Sequence, residues 1–189
     1  MSDLPIFDFS IFPTLTTERL VLRAFVPDDA PDLFAFRSDA IEQKFNDTAM
    51  TDISEAHHLI EWMNDGFAAQ QQIQWAVTLH DANHVIGLFG FNSWDRYHRR
   101  AEVGYDLARA YWGQRLASEA LRAILNFGFE RMQLNRVEAG TVADNTESVR
   151  LLTRIGFKLD GIRREYTWEE DGTYHGGAIY SLLRREFVR

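Results

Sequence analysis

A short run in the middle of the chain combines residue types that bind phosphate through the backbone. It reads WGQRLAS, and it follows a strand-like run at 101–107 and opens a helix-like run. A turn of this kind aims unpaired backbone N–H groups at an anion, and the positive end of the helix dipole adds to the attraction. The sequence therefore predicts a phosphate or diphosphate site at Trp112, Gly113, Gln114, Arg115, Leu116, Ala117 and Ser118.

A second polar signal follows further along the chain. Asn145 to Ser148 reads NTES and leads to Gly156-Phe157. Asn145 is a good helix N-cap, because its side-chain oxygen can accept a hydrogen bond from an amide of the first turn. Together the two signals favour a cofactor site more strongly than either does alone.

Composition limits the catalytic chemistry that is available and indicates the cellular compartment. The chain has 189 residues and no cysteine. Its length suits a single domain over 1–189 with an N-terminal arm at 1–14. The lack of cysteine excludes disulfides, thiolate metal sites and a cysteine nucleophile. A signal-peptide pattern and a run of about 20 apolar residues are both missing, which favours a cytoplasmic protein without a membrane partner.

The formal net charge is −8. That charge disfavours nucleic acid as a partner and favours a cationic one, such as an amine or a basic protein tail, although mild acidity can also serve solubility alone. His80 and His84 lie across a turn with no evident third ligand, so we expect no metal site there.

The elements that must position these residues follow from hydrophobic periodicity. The pattern predicts seven strands and four helices in the order β-α-α-β-β-β-α-β-α-β-β. Early hairpins make part of the sheet antiparallel, and the later β-α-β crossover makes its centre parallel and right-handed. The fold class is therefore α+β, with a mixed sheet. The strands are predicted at 19–25, 75–79, 85–91, 101–107, 136–142, 157 onward and 174–187, and the helices at 27–37, 52–67, 117–132 and 145–155; 39–50 is predicted to be a loop.

An ordered set of motifs resembles the GNAT superfamily of acyl-CoA-dependent N-acetyltransferases. Within it, the chain is most similar to the RimJ/RimL-like branch of ribosomal-protein-alanine N-acetyltransferases. The likeness runs from about residue 16 to 187. It rests on TERLVLR at 17–23, EVGY at 102–105, WGQ at 112–114, ASEA at 117–120, NTES at 145–148, GF at 156–157 and DGIRREY at 160–166.

The resemblance implies a GNAT-like fold in which the central sheet splays after the fourth strand. Acetyl-CoA, as acyl donor, would place its pantetheine arm in the gap beside Leu107 and Ala108, and its pyrophosphate on the amides of 113–117. Asn145 and Ser148 would lie beside the pantetheine and the thioester. The acceptor would be an amine, either a small molecule or a protein N-terminus, and a homodimer is a further expectation.

Two positions depart from the family pattern. Arg115 stands where the family usually has glycine, so its Cβ could crowd the phosphates or its guanidinium could bind them. Leu152 stands where many members carry a tyrosine that acts as general acid, and that role cannot be transferred here. The departures motivate an alternative function, a non-catalytic acyl-CoA-binding or regulatory module with a degenerate phosphate loop. An interaction module that has lost the donor is a third possibility.

Amine acetylation needs a base for the amine proton, a polarised thioester carbonyl, and a thiolate that can depart or be reprotonated. Glu102 is the predicted general base, directly or through a water, because it precedes the splay and shares a strand face with Asp106. The alternative for Glu102 is an ion pair with Arg99 or Arg100, and Asp106 is a weaker candidate for the base. Backbone amides at this strand would hold the oxyanion.

Ser148 is the predicted donor to the leaving sulfur, or only a first-turn residue of its helix. With no cysteine, direct attack in a ternary complex is the economical mechanism. Further residues are candidates for the acceptor side: His57, His58, Trp62, Trp94, Tyr97, His98, Tyr166, Trp168 and His175.

Overall fold

The computed structural model describes residues 7–46, 48–168 and 172–188. These residues form one eight-stranded mixed sheet, in which the strands lie in the order β1-β2-β3-β4-β5-β6-β8-β7. The strands are β1 Leu15–Thr16, β2 Leu20–Arg23, β3 Ile73–Leu79, β4 Val85–Asp95, β5 Arg100–Leu107, β6 Arg136–Val142, β7 Lys158–Trp168 and β8 Tyr174–Leu183. The α-helices are α1 Ala30–Arg37, α2 Ala40–Gln43, α3 Ile53–Ala68, α4 Leu116–Glu130 and α5 Thr146–Ile155.

The predicted mixed α+β architecture is confirmed, with two short additions. The two-residue strand β1 and the four-residue helix α2 are too short to show a period, so the sequence pattern missed both. Helix α2 forms inside the predicted 39–50 loop because the Asp39 side chain accepts from the amides of Ile41 and Glu42. The last strand is shorter than predicted, since a 3₁₀ turn replaces it at Arg184–Glu186. The predicted turn at 170–172 lies largely outside the described residues.

Apolar layers cover the two faces of the sheet. On one face, Leu121, Ile124 and Leu152 of α4 and α5 pack against Val103 and other strand residues. On the opposite face, α1 and α3 form a second cluster over β3 and β4. Part of the predicted arm joins the first layer, because Phe7 and Phe9 are each only 8% exposed. Residues 1–6 of that arm lie outside the described ranges.

The centre of the sheet is split. Strands β5 and β6 run parallel, as predicted, but they pair only from Arg100↔Arg136 to Glu102↔Glu138. Strand β6 pairs with β8 along its whole length, from Arg136 to Val142. The two central strands therefore diverge beyond Glu102, leaving a gap between 103–107 of β5 and 139–142 of β6.

The described ranges contain neither a membrane-spanning helix nor a metal-binding cluster. No helix there combines the length and apolar character that crossing a bilayer needs. No group of three or more His, Asp or Glu side chains there lies close enough to hold a metal ion.

Candidate active site

The gap exposes the hydrogen-bonding edge of β5. The Ala108 amide donates to the Ile86 carbonyl on β4 at 2.9 Å, and the Ala108 carbonyl accepts from Tyr111 at 2.9 Å. Because backbone groups alternate in direction along a strand, Leu107 faces the other way, into the gap. Its carbonyl accepts from the Trp112 indole Nε1 at 2.6 Å and retains a second lone pair. Leu107 and Ala108 were both predicted to lie beside the pantetheine arm. Of the two, only Leu107 has its backbone directed into the gap.

The turn after β5 is shaped as a concave row of amides. Gly113 has φ +73° and Arg115 has φ +64°, both in the left-handed region. A Cβ on Gly113 would meet nothing within 4 Å, so the space beside it is open. The amides of 113–115 donate to no acceptor within the described part of the chain. The first-turn amides of α4 lack intrahelical acceptors as well. These groups form a candidate anion cradle over 113–118.

Two residues of the turn between β1 and β2, Thr17 and Arg19, hold this cradle in place. Glu119, in the first turn of α4, accepts from the Thr17 hydroxyl at 2.6 Å and from the Arg19 amide at 2.8 Å. The Arg19 guanidinium pairs with the same carboxylate at 2.6 Å and donates to the Gln114 carbonyl at 3.1 Å. The motif at 17–23 therefore positions the loop from 100 residues away along the chain, a role that sequence analysis did not assign.

The two departures from the family pattern differ in their surroundings. Arg115 is exposed at the N-cap of α4, and its side chain has no partner among the residues described. Its guanidinium does not bond to the loop that carries it. Leu152 is fully buried in the core beneath α5, so an apolar packing residue occupies that position.

Glu102 lies at the closed end of the gap, where β5 and β6 part, on the face of the sheet opposite α4. It is exposed and makes no ion pair or hydrogen bond with any residue the structure describes. Its Oε1 lies 3.8 Å from the place a Cβ would take on Gly140 of β6, so the carboxylate faces the opposite strand. The alternative ion pair between Glu102 and Arg100 does not form, because Arg100 pairs with Asp95 at 3.4 Å.

Asp106 shares a face with Glu102 but is fully engaged. Its carboxylate accepts from Arg37 at 2.8 Å, Gln43 at 3.1 Å and Asn46 at 2.9 Å. Burial raises the pKa of Asp106 above its ordinary value, against the opposing effect of the Arg37 guanidinium. Asp106 therefore holds α1, α2 and the following loop against β5, and the structure does not support it as the base.

On the α5 side of the gap, three polar groups meet. The Asn145 side chain accepts from the Ser148 amide at 3.1 Å, which is the predicted cap. The Ser148 hydroxyl lies 2.8 Å from the Tyr105 hydroxyl of β5. Sequence analysis missed Tyr105, although the strand's two-residue period already placed it on the face opposite Glu102. The carboxylate and the hydroxyl pair therefore flank the gap from its two sides.

Two cavities adjoin the face of the sheet that carries Glu102 and Asp106, which we call the open face. One, of about 350 Å³, is lined by Asn46, Val142 and Trp168 among others. The other, of about 480 Å³, is lined by Trp94 and Glu102 among others. The remaining acceptor-side candidates line neither cavity. His57, His58, Trp62, Tyr97, His98 and Tyr166 are exposed, and His175 contacts Asp144.

The arrangement has four parts. An anion cradle adjoins an open strand edge, and the edge runs between a free carboxylate on one face and a hydroxyl pair on the other. Such a site can bind an elongated phosphorylated molecule along the strand and move a proton at its far end.

Comparisons with known proteins show which sequences and folds this chain resembles. The model of the family described as "Acetyltransferase (GNAT) domain" matches residues 19–158. A Bacillus licheniformis protein named uncharacterized N-acetyltransferase p20 is 38% identical over 176 residues, covering 93% of this chain and 98% of the relative.

Solved structures share the fold. A GNAT-family acetyltransferase from Bacillus anthracis superposes with a TM-score of 0.80 at 24% identity, covering 92% of this chain and 100% of the other. RimL, the ribosomal L7/L12 alpha-N-protein acetyltransferase, was solved in complex with coenzyme A. It superposes with a TM-score of 0.83 at 21% identity, covering 90% and 98%.

Proposed function

Since the chain belongs to the GNAT acetyltransferase family, we propose that it transfers the acetyl group of acetyl-CoA to a primary amine by direct attack in a ternary complex. The observation that carries the proposal is the split between β5 and β6, which ends beside the amide cradle at 113–118. The split leaves an unpaired strand edge where a peptide-like arm can bind. An acceptor-free binding module would not require the free carboxylate of Glu102 at the closed end of the gap.

The residues present fit acetyl-CoA. The amides of 113–118 would hold the pyrophosphate, because they converge at a helix N-terminus and have no other acceptor. The Leu107 backbone would pair with the amides of the pantetheine arm, and Asn145 and Ser148 lie on the α5 side of the gap. Acetyl-CoA supplies an acetyl group activated as a thioester.

Two side chains and the backbone of β5 then have defined tasks. Glu102 accepts the proton that the amine loses as the new C–N bond forms. Ser148 donates a hydrogen bond to the sulfur that leaves as the C–S bond breaks, and the thiolate takes its proton from solvent. Backbone amides of the open part of β5 stabilise the negative charge on the carbonyl oxygen.

We further propose a protein N-terminus as the acceptor, placing the chain in the RimJ/RimL-like branch. The support is the shared fold with RimL, whose name describes alpha-N acetylation of ribosomal L7/L12, together with the two cavities on the open face. The net charge of −8 suits a cationic acceptor. A small amine is the alternative within the same chemistry.

The direct test measures thiol release from acetyl-CoA with purified protein. Peptides with free N-termini, the same peptides with blocked N-termini, and small primary amines are compared, with products identified by mass spectrometry. Turnover with free but not blocked peptides supports the proposal. Turnover with small amines alone would overturn the choice of acceptor, and saturable acetyl-CoA binding without turnover on any amine would overturn the activity.

Replacing Arg115 with glycine separates the two roles this residue could play. We expect Arg115→Gly to weaken coenzyme A binding about three- to tenfold, because an exposed guanidinium beside a phosphate contributes roughly 1 kcal/mol. The melting temperature should change little, since glycine relieves the left-handed strain but gains entropy in the unfolded chain. Isothermal titration with coenzyme A measures the effect.

Arg122→Gly is not a suitable control for this change, because glycine inside α4 would destabilise the helix. Arg115→Lys is the better companion, since it keeps the charge while losing the planar fork. Tighter coenzyme A binding by Arg115→Gly would show that the side chain crowds the phosphates.

A further inference from the structure

Tyr105 is a polar residue at the gap with no part in the scheme above. Its ring stacks on Phe89, with centroids 5.6 Å apart and planes inclined by 19°. Its hydroxyl lies 2.8 Å from that of Ser148, and this is its one hydrogen bond within the described ranges. The residue belongs to the part of β5 that has no partner on the β6 side.

We infer that Tyr105 is a positioning residue that orients the Ser148 hydroxyl toward the leaving sulfur. The inference rests on the proposed function, because it needs Ser148 as the donor to that sulfur. It gives Tyr105 of β5 a role in positioning Ser148, which is separate from phosphate binding and from proton removal by Glu102.

The number of hydrogens and the acidities of the two hydroxyls together indicate which of them donates. The two hydroxyls carry two hydrogens and share one contact, so one hydrogen lies between the oxygens and the other points elsewhere. A phenol is a stronger acid than an aliphatic alcohol and is therefore the better donor. When Tyr105 donates to the Ser148 oxygen, the Ser148 hydroxyl hydrogen stays on Ser148 and points toward the gap.

Two fixed points hold this geometry. The amide of Ser148 is bound by the Asn145 side chain at 3.1 Å, which fixes the start of α5. The Tyr105 ring is fixed by its stacking on Phe89. The hydroxyl of Ser148 is therefore held between an anchored backbone and an anchored ring, which limits its rotation.

Acidity argues against Tyr105 as the source of the proton itself. Burial raises the pKa of Tyr105 to about 12. A free thiol has a pKa of about 8.5, so the phenol is the weaker acid by roughly three powers of ten. Tyr105 thus keeps its proton when the thiolate leaves, and its effect passes through the hydrogen bond to Ser148.

The test removes only the hydroxyl. Tyr105→Phe keeps the ring on Phe89, and we expect kcat to fall about fivefold to tenfold, the range for losing one neutral hydrogen bond. The KM for acetyl-CoA should stay within about twofold, and coenzyme A affinity by titration should be unchanged. Tyr180→Phe is the matched control on β8, where the hydroxyl has no hydrogen-bond partner among described residues. We expect that variant to keep wild-type kcat.

A double-mutant cycle decides whether the effect passes through Ser148. Tyr105→Phe should lower kcat in the wild-type background and have no further effect in Ser148→Ala. Equal losses in both backgrounds, an unchanged kcat, or a change confined to KM would overturn the inference. Failure of the proposed function is distinguishable, because it would show as no turnover by the wild-type protein, and full activity of Ser148→Ala would refute the donor role on which Tyr105 depends.

Discussion

Glu102→Gln is expected to lower kcat/KM about 100-fold or more near pH 7, the range for losing a general base. The substitution keeps the size of the side chain and removes its ability to accept a proton. Because Glu102 makes no bond to the described residues, stability should hardly change. Thiol release from acetyl-CoA, followed across pH with one acceptor, measures the effect.

The pH profile makes this prediction specific. At high pH the amine is already deprotonated, so the deficit of Glu102→Gln should shrink as the pH approaches the pKa of the acceptor. That value is about 8 for an N-terminal amine and about 10.4 for a lysine-type amine. The pH at which the variant recovers therefore reports the acceptor class.

Glu138→Gln is the control for charge at the same level of the sheet. Glu138 lies in register with Glu102 across β5 and β6, but its carboxylate pairs with Arg136 at 2.7 Å. We expect it to retain activity within about threefold, since an ion pair of this exposure contributes at most about 1 kcal/mol. Full activity of Glu102→Gln at every pH would remove Glu102 as the base.

Asp106→Ala is expected to lower the free energy of unfolding by about 3 kcal/mol, near the lower end for breaking a buried ion pair. The Arg37 side chain is 15% exposed and would lose its 2.8 Å partner. Gln43 and Asn46 would also lose the acceptor that holds α2 and its loop. For a chain of this length the melting temperature should fall by about 6–12 °C, measured by thermal unfolding.

The pH dependence of this loss has an unusual sign. Burial raises the folded-state pKa of Asp106, so protonation favours the folded protein. The contribution of this group is fully present below its ordinary pKa and is lost as pH rises through the raised one. The difference in melting temperature between wild type and Asp106→Ala should therefore be no smaller at about pH 4 than at pH 7.

Asp95→Ala provides the comparison for Asp106. Asp95 pairs with the exposed Arg100 at 3.4 Å. Its loss should destabilise the protein much less than the loss of Asp106, because solvent screens an exposed ion pair. Equal destabilisation by the two variants would contradict the role of Asp106 as a structural anchor.

Much of the fold was predictable because its signals are local. The capping box at Asp52 and Glu55 forms as the spacing indicates, and Asn145 caps α5 through its side chain. The apolar stripe of α4 and the alternation of β5 gave the helix and the strand directly. The strand-to-helix turn that we propose as the phosphate site was also recognisable, because it depends on contiguous residues.

Long-range partners were not predictable in the same way. Glu119 lies 100 residues from the Arg19 amide that it accepts from, and Asp106 lies 69 residues from Arg37. A carboxylate in a sequence does not show whether it will find a cation, a helix cap or solvent. Glu102 and Asp106 share a strand face, yet only the packing of α1 and α2 over Asp106 makes their environments differ.

By itself, then, the sequence determined the family, the order of elements and the place of the amide cradle, because periodicity, caps and turns act between neighbours in the chain. Only the tertiary structure decided which carboxylate is free, which backbone group of the β5 edge is available, and that Tyr105 contacts Ser148. These depend on where β5 and β6 part and on which helix covers each face, and both are set by packing across the whole sheet.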